Sequence, residues 1–343
     1  MLARLTRSLP VDGFIYEPKW DGFRCLAFRH EDEVDLRSRN DRPLSRYFPE
    51  LAEAIGGMGE SHLVLDGEIV VITPDGMDFA GLMTRLHPAP SRVARLRHES
   101  PAAFIAFDVL VAGPQDLTGE PFVDRRAVLE KLQSETDPPV LLTPATDDSR
   151  VAEGWLERLH GGGVDGVVAK RRDQRYEPGK RSMVKVKRER TADCVVAGMR
   201  RYEGEPPVVA SVLLALFDEA GALIHVGVVS SMRDPERAGL WRELAPLIVP
   251  LDGHPWRHGF GLGHSPLGRL AGSAARWTPD MDLDWVPLRP VRVCEVAYDQ
   301  LDDRRFRFPA RLVRWRPDRD PSSCTLDQLD VSPPEVLELL DRP

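Results

Sequence analysis

The run Glu17-Pro-Lys-Trp-Asp-Gly-Phe-Arg24 sets a lysine two residues ahead of an Asp-Gly pair and just after the strand-like Phe14-Ile-Tyr16. Asp-Gly is turn chemistry, so Lys19 is offered at a strand end. An amine in that place can act as a nucleophile once it is uncharged. An ordinary lysine has a pKa of ~10.4, so cations close by are needed to disfavour its ammonium form. Val184-Lys-Val-Lys187 supplies candidates, because alternate positions on a strand turn Lys185 and Lys187 to the same side. A divalent metal would add to their effect. The chemistry open to such a set is nucleophilic attack by the amine on an anionic substrate, whose charge the basic side chains would offset. A lysine beside a β-turn is also a common surface arrangement, and these eight residues alone leave both readings open.

The elements that must position these groups are mixed α and β. Leu63–Ile72 alternates and is β-branched, as a half-buried strand should be, and Phe104–Val111 and Gly166–Lys170 read alike. Helical spacing runs over Leu44–Ile55, Arg126–Ser134 and Val151–Leu159. After Lys187-Arg-Glu-Arg-Thr191 the chain turns almost purely β. Cys194–Gly198 opens that part, Ser211–Phe217 and Leu223–Val229 face each other across Asp218-Glu-Ala-Gly221, and Arg292–Tyr298 follows. Several short strands in so few residues suit a small barrel, with an OB-fold as the leading candidate. The segment 251–289, rich in Gly, Pro, His and Trp, reads as loop with one basic helix. Its His254, His258 and His264 lack Cys or acidic partners at ligand spacing, so no zinc site is read there. Ser332 and Glu335 form a capping box before a short terminal helix.

Composition narrows the function classes. The 343 residues are 42% hydrophobic and 29% charged, which excludes a disordered or collagen-like chain. No apolar run approaches the ~18 residues of a membrane span, and no secretory signal precedes Pro10. The four scattered cysteines read as reduced thiols and exclude a Cys₄ zinc module. The net charge of −8 hides two basic stretches. From Lys170 to Arg190 there are ten basic residues against three acidic, and from Arg304 to Arg319 seven against one. Such separation points to local sites for polyanions, with solvated charged faces as the alternative.

Lys-x-Asp-Gly at Lys19, Ser38-Arg-Asn40, Leu65-Asp-Gly-Glu-Ile-Val70, Ala106-Phe-Asp-Val-Leu110, Asp165-Gly-Val-Val-Ala-Lys170, Val184-Lys-Val-Lys187 and Arg314-Trp-Arg-Pro-Asp-Arg319 follow one another in order. In this the chain resembles the ATP-dependent DNA ligases of the covalent nucleotidyltransferase superfamily, and most of all their compact bacterial end-joining members. The run Cys324-Thr-Leu-Asp-Gln-Leu329 belongs to the likeness, which covers residues 11 to about 329. It implies an α+β fold. An adenylation domain of antiparallel sheets with flanking helices, 1–188, would be followed by an OB-fold β-barrel domain with a helical tail, 189–343.

The resemblance also implies roles. Lys19 would take AMP from ATP, with Asp21 completing its motif and Lys185 and Lys187 assisting catalysis. Glu17 would accept from the adenine amino group and Phe107 would stack on the ring. Glu68 would hold the ribose hydroxyls and, with Asp165, a Mg²⁺ or Mn²⁺ ion. Asp165 stands where the family motif usually begins with Glu, a departure of one methylene. Arg24 and Arg39 would lie near the ribose, the phosphate and the nick. Lys170, Lys185 and Lys187 would surround the α-phosphate. Arg314, Arg316, Asp318 and Arg319 would swing over ATP about a hinge at 188–191 to orient pyrophosphate. The expected substrate is nicked or broken double-stranded DNA, sealed at 3′-OH/5′-phosphate nicks through lysyl-AMP and DNA-adenylate. The enzyme is expected to be a cytoplasmic, nucleoid-associated monomer working with DNA-end-binding repair proteins and without membrane contact. With eighteen residues before Lys19, no N-terminal DNA-clamping domain is expected, and the missing modules of NAD-dependent ligases leave ATP as donor. The alternatives are an mRNA-capping guanylyltransferase, an RNA ligase, or a non-catalytic OB-type nucleic-acid-binding protein. Glu17 favours adenine over guanine, because guanine offers a carbonyl oxygen where adenine offers an amine.

Overall fold

A computed structural model of the chain describes residues 1–343 other than 75, 88, 135–137, 160–162, 188, 203, 205–206, 260–283, 303, 330–338 and 341–343. The capping box at Ser332 and Glu335, and His264, lie outside the described residues. Contacts divide the chain into two units, Met1–Arg188 with Val331–Pro343, and Glu189–Asp330. The architecture is α+β, with mainly antiparallel sheets.

The first unit holds two sheets. The smaller has the strand order β1-β11-β10-β2, with β1 Ala3–Thr6, β2 Phe14–Trp20, β10 Val164–Arg171 and β11 Met183–Val186. The larger runs β4-β3-β5-β7-β8, from β3 Phe23–His30, β4 Glu33–Ser38, β5 His62–Thr73, β7 Ala102–Ala112 and β8 Gln115–Asp116. The short β6 Gly76–Met77 pairs with β5, and β9 Val140–Leu142 with β7. Alternation explains the central pair: Leu63, Leu65, Ile69 and Val71 of β5 join Phe104, Ala106 and Val109 of β7 in one core. α1 Pro49–Gly56, α2 Phe79–Arg85 and α4 Phe122–Ser134 add Leu51, Ile55, Leu82 and Leu129 to it. Val70, Ala103 and Ile105 point the other way. There they meet Tyr16, Trp20, Val167 and Val184 of the smaller sheet, with Trp155 of α5 Ser149–Arg158. Leu339 and Leu340 of the tail pack on this second core, in the first unit. An exposed helix, α3 Pro90–Glu99, completes the unit. The stretch Leu44–Ile55 is not one helix: Ser45–Tyr47 is a 3₁₀ turn, and the α-helix starts at Pro49, a residue suited to a first helical position.

The second unit is a curled antiparallel sheet of order β14-β13-β12-β15-β18. Its strands are β12 Arg190–Tyr202, β13 Val208–Phe217, β14 Leu223–Val229, β15 Val286–Tyr298 and β18 Arg311–Trp315, and the short β16 Leu301–Asp302 and β17 Arg305–Phe306 pair with each other. The β13–β14 hairpin forms at the expected turn, where Gly221 takes φ +77°. α6 Asp234–Leu244 covers the sheet through Leu240 and Leu244. A bridge between Val229 and Ala310 curls the sheet back on itself. The segment 251–289, to which the sequence assigned no role, in part builds this core. Trp256 is buried and its indole N–H donates to the Leu223 carbonyl at 2.7 Å, while His254 bonds the Leu288 carbonyl at 3.1 Å. All four cysteines are buried and unpaired. Among the described residues no helix is long and apolar enough to cross a membrane.

Candidate active site

Lys19 lies within β2, one residue before its end, and not after the strand. Asp21-Gly22 then carries the chain from the smaller sheet into β3 of the larger one. The Asp21 amide donates to the Gly163 carbonyl at 2.9 Å, fixing that crossing. Glycine is required at 22 because a Cβ there would stand 2.2 Å from the Ile69 carbonyl oxygen. The Gly22 amide donates to Glu68 Oε1 at 3.1 Å. The spacing Lys-x-Asp-Gly thus puts the amine at the rim of one sheet and Arg24 and Glu68 on the other.

Between them lies a cavity of about 500 Å³. Glu17, Lys19, Arg24, Arg39, Glu68, Phe107, Lys170 and Lys185 all line it, as do Leu2, Arg181 and Met183, which sequence reasoning did not single out. β1 pairs parallel with β11, and this contact, remote in sequence, brings Leu2 to the wall. Arg181 carried one signal, its place in the basic run.

Lys19 Nζ is 2.7 Å from Asp165 Oδ2, and Lys187 Nζ is 2.8 Å from the same oxygen. The sequence surrounds Lys19 with cations; the structure adds an acid that holds two of them. Asp165 is delivered by a bulge in β10, where the register against β2 shifts between Val164 and Val167. Gly166 in that bulge has φ +136°, and a Cβ on it would lie 2.2 Å from the Val186 carbonyl oxygen. Gly166→Ala is therefore expected to cost about 3 kcal/mol, lowering the melting temperature on the order of 10 °C in a thermal scan, and to displace Asp165. Lys185 is pulled below the usual lysine value, first by burial and then by Lys187 and Lys19.

Arg24 lays a fork on buried Asp66, with Nε–Oδ1 3.0 Å and Nη2–Oδ2 2.6 Å, and the Tyr176 hydroxyl donates to Asp66 at 2.8 Å. Asp66 was missed as a site residue, although it sits in the quoted motif beside Glu68. Burial pushes the Glu68 carboxyl up to about 8, against the opposing pull of Lys19 and Arg24. Phe107 is half-buried on the cavity wall, flanked by Lys170 Nζ at 4.9 Å from its ring centre and by the Arg24 guanidinium at 5.8 Å.

Lys170 does not point at Lys19. Its Nζ lies 2.8 Å from Glu17 Oε2, donates to the Phe107 carbonyl at 2.7 Å, and sits 4.4 Å from the Phe122 ring centre. That sets it beside Glu17 and Phe107 on the cavity wall. Arg126 of α4, also missed, reaches within 3.5 Å of Glu17 Oε1.

In the second unit, Arg316 is closed upon acids: Nη1 lies 2.8 Å from Asp193 Oδ2 and Nη2 2.8 Å from Asp318 Oδ2. Arg314 Nε is 2.6 Å from Glu295, and Arg319 Nε is 3.7 Å from Asp193. The basic stretches therefore overstate free positive charge. Arg171, Arg172, Lys180 and Arg311 also pair, with Asp173, Asp147, Glu177 and Glu189. The expected hinge begins at residue 188, which lies outside the described residues.

Comparison with known proteins gives concordant findings. Residues 1–187 match the family model of the ATP dependent DNA ligase domain, and 206–319 that of the ATP dependent DNA ligase C terminal region. The chain is similar to DNA ligase C2 of Mycolicibacterium smegmatis, 48% identical over 97% of this chain and 94% of that one. It is 32% identical to the multifunctional non-homologous end joining protein LigD of Mycobacterium bovis, over 82% of this chain and 37% of the relative. A solved structure from a study of DNA binding by Lig E DNA ligases shares the fold, with TM-score 0.52 at 16% identity, covering 92% of this chain and 98% of that one.

Proposed function

This chain belongs to the ATP-dependent DNA ligases, and on that premise we propose that Lys19 is the residue that carries AMP between ATP and DNA. The observation that supports this most is the convergence of eight motif residues on one cavity around that amine. Lys19 Nζ attacks the α-phosphorus; a phosphoramide bond forms as the bond to pyrophosphate breaks. Attack needs an uncharged amine, so Lys19 must give up a proton before the step, and Asp165 Oδ2 at 2.7 Å stands within reach to take it. Lys185 and Arg181, which line the cavity, and Lys187, which shares Asp165 with Lys19, would meet the phosphate charge. Glu17 accepts from the adenine amine, Phe107 stacks on the ring and Glu68 meets the ribose hydroxyls. Arg24 and Arg39 serve the ribose, the phosphate and the nick. AMP then passes to a DNA 5′-phosphate, and a 3′-hydroxyl displaces it to seal the strand.

Asp165 and Glu68 are the carboxylates that would hold Mg²⁺ or Mn²⁺. Asp165 fits a hard cation, because it already gathers positive groups and Mg²⁺ takes one or two carboxylates with phosphate oxygens and water; Glu68 would first have to lose the proton that its burial favours. When bound, the cation would shield phosphate charge and compete with Lys19 for Asp165. Arg314, Arg316, Asp318 and Arg319 would orient pyrophosphate once Arg316 exchanges Asp193 for phosphate.

The substrate is nicked or broken double-stranded DNA, held through phosphates, since sealing needs no base readout. The likeness to LigD, a non-homologous end joining protein matched over 37% of its length, supports joining of broken ends; we further propose a monomer in the cytoplasm working with end-binding repair proteins. The test is incubation with labelled ATP, GTP or NAD, then sealing of nicked and broken duplexes. Label from ATP alone and nick sealing that weakens steeply between ~50 and ~200 mM salt are expected. Label from GTP would favour a capping enzyme, and absence of label a binding protein.

A further inference from the structure

Beside the adenylate cavity, two buried polar atoms lack any hydrogen-bond partner among the described residues: Glu17 Oε1 and Arg126 Nη1. They face each other at 3.5 Å, too far for a good hydrogen bond. The other carboxylate oxygen of Glu17 is held by Lys170 at 2.8 Å, and Arg126 is held from behind by Glu130, Nε–Oε1 2.7 Å. Glu17 lines the cavity and Arg126 does not, so Arg126 acts on a ligand only through Glu17.

An orphaned acceptor in a buried wall is costly unless something completes it. Burial pushes Glu17 towards its protonated form, and Asp108 adds to that push. Lys170 and then Arg126 oppose it. A protonated carboxyl can present a donor in place of an acceptor, and an unanchored one can turn its free oxygen away. We propose that Arg126 is a positioning residue for base selection, standing behind Glu17 so that its carboxylate remains a charged, directed acceptor for the exocyclic amine of adenine. The proposal rests on the reading of Glu17 as the adenine contact. On the same ground guanine is expected to be disfavoured, since its carbonyl oxygen would meet the charged acceptor.

The experiment compares ATP with purine riboside triphosphate, which is ATP without its 6-amino group, in protein adenylation by the full chain. The wild type is expected to prefer ATP in kcat/KM by about 10- to 100-fold, the scale of a hydrogen bond to a charged group. In Arg126→Met the preference is expected to shrink to within about threefold, because the amine no longer meets an aligned partner. Arg126→Gln, which keeps a polar side chain and removes the charge, carries the same expectation should the methionine variant fold poorly. A merely structural Arg126 would lower kcat/KM for both nucleotides alike and leave the preference intact, which overturns the proposal. A wild type that does not distinguish the two nucleotides would instead overturn the reading of Glu17 itself.

Discussion

Lys19→Ala is expected to lose nick sealing by at least ~10⁴-fold, on the scale seen when a covalent nucleophile is removed. The fold should survive. The Lys19 side chain is 25% exposed and lines the cavity, and Asp165 keeps Lys187 when Lys19 is gone. The melting temperature should therefore stay close to that of the wild type. A nick that already carries 5′-AMP separates the steps, because its sealing no longer requires a lysine-bound adenylate. Lys19→Ala should seal such a nick far better than an ordinary one given ATP. Equal loss on both substrates would count against a role confined to carrying AMP.

Asp165 is the site of the second large effect. Asp165→Asn keeps the shape and removes the charge that Lys19 and Lys187 share; their mutual repulsion would favour the uncharged amine, but Lys19 would lose the partner that aims it. The same change removes a candidate metal ligand. A fall of about 10²- to 10³-fold in protein adenylation is expected, a loss of the order that one preorganised charge contributes. Asp165→Glu restores the residue usual in the family motif, and adenylation within about tenfold of wild type is expected, because the bulge at Gly166 still aims the carboxylate. Rates of adenylation measured at a fixed Mg²⁺ concentration check both variants. Full activity in Asp165→Asn would remove this residue from the site.

Much of this site was legible because alternation on half-buried strands fixes side-chain direction. β5 and β7 could be read as strands from their residues, but Glu68 and Phe107 on them were marked by the likeness to the ligase motifs, and a register shift at Phe107 breaks the period of two there. The crossing at Asp21-Gly22 was legible as a turn but not as a passage between two sheets, since that depends on which strands pair far along the chain. Long-range pairing also hid β1, a short, half-exposed Ala-Arg-Leu-Thr whose partner is β11. Arg126 went unnoticed because a charged residue on a helix reads as surface, and here it is buried against Glu17. Local charge counts misjudged the two basic stretches for a related reason. Some of their neutralising acids, such as Glu17 for Lys170 and Asp193 for Arg316, lie more than a hundred residues away in sequence, while Asp173, Glu177 and Asp318 lie within the stretches.

Peptide mass mapping of the protein after brief exposure to ATP and Mg²⁺ reaches the centre of this account. One AMP is expected, on the peptide containing Lys19, acid-labile as a phosphoramide should be and discharged when nicked DNA is added. No adduct under conditions in which strands are sealed, or an adduct on any other side chain, would contradict it.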